Sequence, residues 1–425
     1  MSVRRPDSTA PGEPAARGMA GIVRRADLHG LLRLGVDATL GVTDLVEALH
    51  HTIAERTGPL GQAPVGRTRG LTGFVYRSVR GVTRAVGHGI DATWRMLPAA
   101  AAPVATTPQR EALLAVLNGV WGDQLAARGN PLAIPMALRQ HGQALDLASG
   151  TLTLPVGPAR DKLLVLVHGL CMNDLQWQRN GHDHGQALAH ELGFTPVYLH
   201  YNSGRHVSEN GAEFARMLQR LLDAWPVPLE HLVIVGHSMG GLVARSACEA
   251  ARQSALPWLA RLSHMVFLGT PHHGAALERA GNRVDLLTAI SPYTKPFARL
   301  GRLRSAGIQD LRHGNLLDAD WQPRPASHPH DARQHVPLPA GVACCAVAAT
   351  RRAAPSATGG RLPGDGLVSV RSALGQHDDP RRTLAIAPER RCICWGLGHF
   401  DLLSSHDVYR HLRRWLDRDD AATED

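Results

Sequence analysis

The sequence predicts an α/β protein: a mostly parallel sheet covered by helices, preceded by a separate helical extension. Three observations carry this expectation. From Leu163 onward, short uninterrupted apolar runs alternate with amphipathic stretches, the pattern of strands buried on both faces and joined through helices. One of those runs passes directly into Gly236-His237-Ser238-Met239-Gly240-Gly241, a turn of small residues between strand and helix. Residues 26–97 show helical periods and are set off by the Ala/Pro/Thr-rich stretch from Pro98 to Pro108.

Taken in chain order, residues 1–20 are polar and rich in Pro and Gly, which predicts a disordered tail. Residues 21–108 form an amphipathic helical extension and linker. In it Leu34, Ala38, Val42, Leu45, Leu49 and Ile53 recur at spacings of three and four, as do Val75, Val79, Val82, Val86, Ile90, Trp94 and Leu97. The string Gly35-Val36-Asp37-Ala38-Thr39 returns as Gly89-Ile90-Asp91-Ala92-Thr93, a hint of internal repetition. Arg77, Arg80 and Arg84 lie opposite the apolar series of the second helix, making it basic and amphipathic. Such a helix suits packing on the main domain or dimerisation, and it also suits an anionic lipid surface.

The main domain is expected over residues 109–415. It opens with a helix, Glu111 to Ala127, and short strand-like runs at Met136–Leu138, Ala144–Leu147 and Leu152–Leu154. The sheet proper follows as Leu163–Val167, Pro196–His200, Leu232–Val235, Met265–Leu268, Val342–Ala348 and Cys392–Trp395, with helices near 184–192, 209–224 and 239–252. Residues 318–338 read as a loop, and 416–425 as an acidic, frayed tail.

Composition limits the function. At 425 residues, 44% hydrophobic and 20% charged, the chain is globular in character. Only 6 Phe, 8 Trp and 5 Tyr are present, too few for an aromatic platform that binds sugars or single strands as its main activity. No apolar run approaches the roughly 18 residues of a transmembrane helix. The net charge of +9 rests almost wholly on arginine, since Lys162 and Lys295 are the only lysines. Residues 1–110 hold 14 basic and 8 acidic groups, so the excess is concentrated there, yet no nucleic-acid signature accompanies it. Cys171, Cys248, Cys344, Cys345, Cys392 and Cys394 show no metal-ligand spacing, and the last four lie in strand-like runs, as buried reduced thiols do. Reduced cysteines and the lack of an apolar export signal in Met1 to Arg25 together predict a cytoplasmic protein, with a peripheral position at a membrane or at a lipid or polymer surface allowed by the basic helix.

The chemistry is read from three loops. A serine on a sharp strand-to-helix turn is exposed to substrate and has a helix N-terminus beneath it; Ser238 fits. A serine hydroxyl needs a histidine base held by a carboxylate. His399, in Gly396-Leu-Gly-His399-Phe, stands after the last strand and before the final helix; His406 and His377 are its rivals. Asp365, in Gly364-Asp365-Gly366, lies between Ser238 and His399 in the required order; Asp310 and Asp285 are the alternatives. The oxyanion needs two N–H donors. Met239 follows the nucleophile, and Leu170 follows the His168-Gly169 turn at the end of the first central strand; His168 is expected to brace that turn.

With these residues in place, the chain resembles the α/β-hydrolase family, and within it lipases and esterases of the PGAP1-like and bacterial triacylglycerol type. The resemblance rests on the His168-Gly169 loop, Gly-His-Ser-Met-Gly-Gly, Gly269-Thr-Pro-His-His-Gly274, Gly364-Asp365-Gly366-Leu-Val with its later Ser-Ala, and the late Gly398-His399, in that order across about residues 160–412. It implies an α/β-hydrolase fold and a Ser238/Asp365/His399 triad acting on carboxylic esters through an acyl-enzyme, with no cofactor. It also implies a cap or lid at about 275–315. Asp401 stands where some bacterial lipases carry a calcium-binding aspartate, but no partner carboxylate can be placed, so no metal is expected. The expected function is a serine ester hydrolase acting on a lipid-like or medium-chain ester. The rivals are an acyltransferase using the same triad and a non-catalytic lipid-surface or granule-binding protein.

Overall fold

A computed structural model describes residues 24–54, 70–96, 107–148, 152–275, 305–322, 333–354 and 362–417. The predicted tail at 1–20, Asp285, most of the predicted cap and the end of the acidic tail lie outside the described residues. The chain divides into two compact units, Met1–Arg110 and Glu111–Asp425.

The first unit is an antiparallel pair of helices, α1 (Arg25–Ala54) and α2 (Gly70–Met96). Their seam is polar. Arg80, buried, reaches Asp44 at 2.7 Å and also pairs with Glu47, itself buried. Nearer the other end, His29 Nε2 meets Asp91 Oδ1 at 2.8 Å, and the His29 ring stacks on Trp94. The repeated pentapeptides adopt one local geometry: the Thr39 and Thr93 hydroxyls donate to the carbonyls of Gly35 and Gly89, each at 2.9 Å.

The second unit is built on an eight-stranded sheet: β1 (Ala137–Gln140), β2 (Gln143–Ala144), β3 (Lys162–Val167), β4 (Thr195–His200), β5 (His231–His237), β6 (Leu262–Leu268), β7 (Ala343–Thr350) and β8 (Arg391–Trp395). The order is β2-β1-β4-β3-β5-β6-β7-β8. The six strands from β4 to β8 are parallel and the β2-β1 edge is antiparallel. Among the helices are α3 (Pro108–Ala127), α4 (His184–Leu192), α5 (Val207–Asp223), α6 (Met239–Gln253), α7 (Ala306–His313) and α8 (His406–Asp417). This is the α/β-hydrolase fold that the motif order implies. The strand order reverses at β3, whose neighbours are β4 on one side and β5 on the other, so the loops after β3 and β5 splay apart and leave a crevice at their C-terminal ends.

The central strands are buried along nearly their whole length, which is why they read as unbroken apolar runs. The expected strand at Leu152–Leu154 does not form; Leu152 is buried in the core, but this stretch joins no sheet. Of Ala144–Leu147 only Ala144 pairs, as part of β2.

α3 packs on the crevice loops through small residues. A side chain at Gly119 would meet Cys171, and one at Gly122 would meet Asn202. Just before Gly119, Asn118, fully buried, donates to the carbonyls of Leu114 and Leu132 and accepts from Ile134 N, at 2.8–2.9 Å. Asn118→Ala strands those buried groups and is expected to cost about 2–3 kcal/mol, read from the denaturant midpoint.

Four of the histidines buried in this unit are held neutral by that burial. Burial pushes His168 down to about 3 and His184 down to about 4, and holds His237 and His272 well below the ordinary histidine value. Above pH ~6.5 they are neutral whether the chain is folded or not. Below it the unfolded chain takes up protons that the folded core refuses, so stability falls with pH down to the folded values. Each histidine adds a slope of about 1.4 kcal/mol per pH unit in that window. Denaturant midpoints should therefore be flat from neutral to mildly alkaline pH and drop steeply between pH ~6.5 and ~4; a flat profile to pH ~5 would contradict these burials.

Candidate active site

The crevice is organised by the end of β5. Ser238 sits there with φ 54° and ψ −122°, a left-handed conformation that costs a residue with a Cβ about 1–3 kcal/mol. It is held by its surroundings. Ser238 N donates to Leu268 O at the end of the neighbouring strand, at 2.9 Å. Directly after it α6 starts, with Gly240 pressed on the carbonyls of Val167 and His168 so closely that a Cβ there would overlap both. The chain can make this turn only with glycine at that position.

The same contact locks the loop after β3 against α6. His168 bonds through Nδ1 to Gly169 O at 2.9 Å, and Tyr201, stacked on the His168 ring, donates its hydroxyl to His168 O at 2.8 Å. Cys171 has φ 58°, and its N–H is held by Ser203 Oγ at 3.0 Å. Against these fixed points, the N–H groups of Leu170 and Met239 make no hydrogen bond among the described residues. His168 thus braces the turn; neutral and enclosed, it is not placed for proton transfer.

His399 and Asp365 arrive on the loops after β8 and β7. His399 Nδ1 and Asp365 Oδ2 are 2.7 Å apart, and both side chains are buried. Asp365 Oδ1 accepts from Leu367 N and Val368 N, each at 2.9 Å, and its carbonyl accepts from Arg351 Nε at 3.1 Å. The carboxylate is therefore oriented by its own turn. With Nδ1 donating to Asp365, Nε2 of His399 is left as the acceptor. Gly269 (φ 59°) lets the pair pack against the end of β6, since a Cβ there would lie 3.2 Å from His399 Cε1 and 3.3 Å from Asp365 Oδ2.

Ser238 and His399 line one cavity of about 10 Å³, with Gly169, Leu170 and Met172 from the β3 loop, Ala275 and Leu311, and Leu367, Val368 and Phe400 from the later loops. That is room for about one water. Ser238 is 6% and His399 4% exposed. The two face the cavity without a hydrogen bond between them, a bond that commonly tightens only when substrate is present.

The rival residues are elsewhere. Asp310 lies in α7, where it accepts from Val207 N at 2.8 Å, meets His206 Nδ1 at 2.9 Å and binds the Asn315 amide. His406 begins α8 beside His182, and His377 Nδ1 accepts from Asp379 N. Asp401 accepts from Gly398 N at 2.8 Å and so closes the turn that carries His399. Among the described residues no group of three or more His, Cys, Asp or Glu side chains is arranged to hold a metal.

One residue of the site went unassigned in the sequence. His237 is fully buried, adjoins Ser238, and bonds through Nε2 to the backbone carbonyl of His399 at 3.2 Å. Its Nδ1 side faces Gly169: a Cβ on that glycine would lie 3.2 Å from it. His237 thus joins the Ser238 turn, the His399 loop and the β3 loop. Its adjacency to Ser238 was the only signal available, because the partner carbonyl is 162 residues away.

Comparison with known proteins gives the following. Residues 162–340 match a family model described as the PGAP1-like alpha/beta domain. No curated protein matches the chain. Among solved structures, the mature lipase BlEst2 of Bacillus licheniformis is 17% identical, with 66% of this chain and 97% of that chain covered and a TM-score of 0.39. An alpha/beta hydrolase enzyme, MGS-MChE2, from the metagenome of Moroccan lagoon sediments is 17% identical over 67% of this chain and 99% of that one, with a TM-score of 0.33. An esterase of Pyrobaculum calidifontis is 14% identical over 62% and 77%, with a TM-score of 0.36. Residues 111–425 thus have the α/β-hydrolase fold, and the stretch 162–340 within them matches the PGAP1-like alpha/beta domain.

Proposed function

We propose that this protein is a serine carboxylic-ester hydrolase working through an acyl-enzyme. The observation that carries the reading is the buried His399–Asp365 pair, 2.7 Å apart, whose histidine lines the same cavity as a strained Ser238. Ser238 Oγ attacks the ester carbonyl and gives its proton to His399 Nε2. Asp365 keeps the ring in the tautomer that can accept it and stabilises the imidazolium. The carbonyl oxygen, now an oxyanion, takes the open N–H groups of Leu170 and Met239. His399 then protonates the departing alkoxide, and the acyl group stays on Ser238. Water deprotonated by His399 attacks the acyl-enzyme, releases the carboxylic acid and restores the serine.

The apolar walls given by Leu170, Met172, Leu311, Leu367, Val368 and Phe400 support a hydrocarbon acyl group over a charged one, because a buried charge there would have no partner.

Hydrolysis of p-nitrophenyl esters from acetate to palmitate tests this reading. Ser238→Ala, His399→Ala and Asp365→Asn should each lower kcat by about a thousandfold or more, and the chain-length optimum should size the acyl pocket. Ester cleavage that needs an added alcohol or thiol, with the acyl group recovered on it, would assign the same residues to acyl transfer. No cleavage by a folded protein under either condition would overturn both.

The strain at Ser238 gives a second test. Ser238→Gly, which relieves the positive φ, should raise stability by about 1 kcal/mol while abolishing turnover. Ser238→Ala keeps the strain and should not be stabilising in this way, so the two denaturant midpoints should separate.

A further inference from the structure

The helical hairpin of the first unit is built with polar groups inside and apolar groups outside. Of the 13 large apolar side chains that are exposed among the described residues, 11 lie on α1 and α2, so exposed hydrophobicity is a property of this unit and not of the surface at large. Val75, Val79, Val82 and Val86 form a stripe along α2, with Val82 66% exposed. Leu28, Leu31, Val42 and Val46 form its counterpart on α1, with Val42 60% exposed.

The two stripes lie on one side of the hairpin. The residues that meet across the seam, His29 with Asp91, Val36 with Gly87 and Asp44 with Arg80, run in opposite chain directions. At 3.6 residues per turn, each stripe is turned roughly 120° from its helix's seam residues, in the same rotational sense viewed from each N-terminus. Antiparallel packing turns one helix end for end, so both stripes emerge on the same face. Arg77, Arg84 and Arg95 occupy the opposite side of α2 and are exposed.

We propose that the α1–α2 hairpin is a membrane-surface anchor that lays its aliphatic face into the headgroup–acyl boundary of an anionic lipid leaflet. This inference does not rest on the ester-hydrolase reading. Charge favours this occupant locally: the two helices together carry six arginines against five acidic residues, but the exposed excess is on α2, where Arg77, Arg84 and Arg95 face solvent and the one acidic residue, Asp91, is engaged by His29. A helix is about 10 Å across, about one Debye length at physiological salt, so arginines on its far side still feel a negative surface. Relief favours it too. The face is valine and leucine, whereas protein interfaces concentrate aromatic, Met and Arg side chains at their centres; a lipid boundary demands no shape complementarity. The buried Arg80–Glu47 pair, with Asp44 at its exposed edge, helps keep the helices paired through polar contacts and leaves the valine and leucine stripes outside the seam. No described helix is long and apolar enough to cross a membrane, so the hairpin would lie in the interface.

The test is co-flotation of the full-length protein with phosphatidylcholine vesicles, one-third of whose lipid is phosphatidylglycerol, beside vesicles of phosphatidylcholine alone. Wild type should float with the anionic vesicles, less so at high salt. Val79→Asp/Val82→Asp should reduce the bound fraction at least about tenfold. Arg77→Gln/Arg84→Gln should weaken binding to the anionic vesicles only. Absence of wild-type flotation, or flotation unchanged by the paired aspartates, would overturn the proposal. So would a wild-type dimer that does not bind vesicles and that the aspartates dissociate, which would assign the face to a second copy. Circular dichroism checks that the helices persist in the variants. Should the aspartates unfold them, an environment-sensitive fluorophore on Val82→Cys gives an independent reading: a blue shift on anionic vesicles supports the proposal, and unchanged emission overturns it.

Discussion

The arrangement of the crevice depends on one constraint, the passage of the chain from β5 into α6 through a serine with positive φ. For the helix to start where it does, its first turn must lie against the carbonyls that end β3, and Gly240 makes that approach. The consequence is that the Ser238 turn and the β3 loop share one contact surface. The N–H groups of Met239 and Leu170, which make no hydrogen bond among the described residues, are therefore fixed relative to each other by backbone, not by side chains that could rotate. His237 extends the same unit to the loop after β8 by bonding the carbonyl of His399. Three loops separated in sequence are thus referenced to one strained residue.

Strain and buried polarity of this kind have to be offset by the surrounding core. The offset comes from the sheet, whose central strands are sealed on both faces, and from paired polar groups at the crevice. Asp365 has Leu367, Val368 and His399 as partners, and His168 is bonded to Gly169 and stacked on Tyr201. These groups are costly to expose one at a time, which makes the crevice rigid without making it large.

The parallel sheet was legible because strands buried on both faces write themselves as apolar runs: Leu163–Val167 and Leu232–Val235 fall within β3 and β5 with boundaries off by a few residues at most. The edge was less legible. Leu152 has the apolar character of a strand residue but is used in loop packing, and burial without pairing leaves no distinct mark in sequence. Order and turn chemistry singled out Ser238, Asp365 and His399, which the structure brings together at the crevice, yet Asp365 and Asp310 were separable only by tertiary placement, since both stand between Ser238 and His399. The α1 and α2 periodicities were visible, but not that Thr43, Glu47 and Arg80 would be the buried positions and Val42 and Val82 the exposed ones. Periodicity finds an apolar face; it does not say which way that face points. His237 escaped because its meaning lies in a backbone carbonyl on a distant loop.

The cavity at Ser238, with space for about one water, bears on how selectivity would be measured. If the substrate is the hydrocarbon ester proposed above, its acyl chain is many times that size, and its binding would need the walls to part. For a ligand that binds only an open state, apparent affinity is the intrinsic affinity scaled by the fraction of molecules that are open. A ranking of esters by KM alone would then combine fit with the energy of opening common to all of them. Ratios of kcat/KM between esters that need the same opening cancel the shared contribution and report the walls themselves.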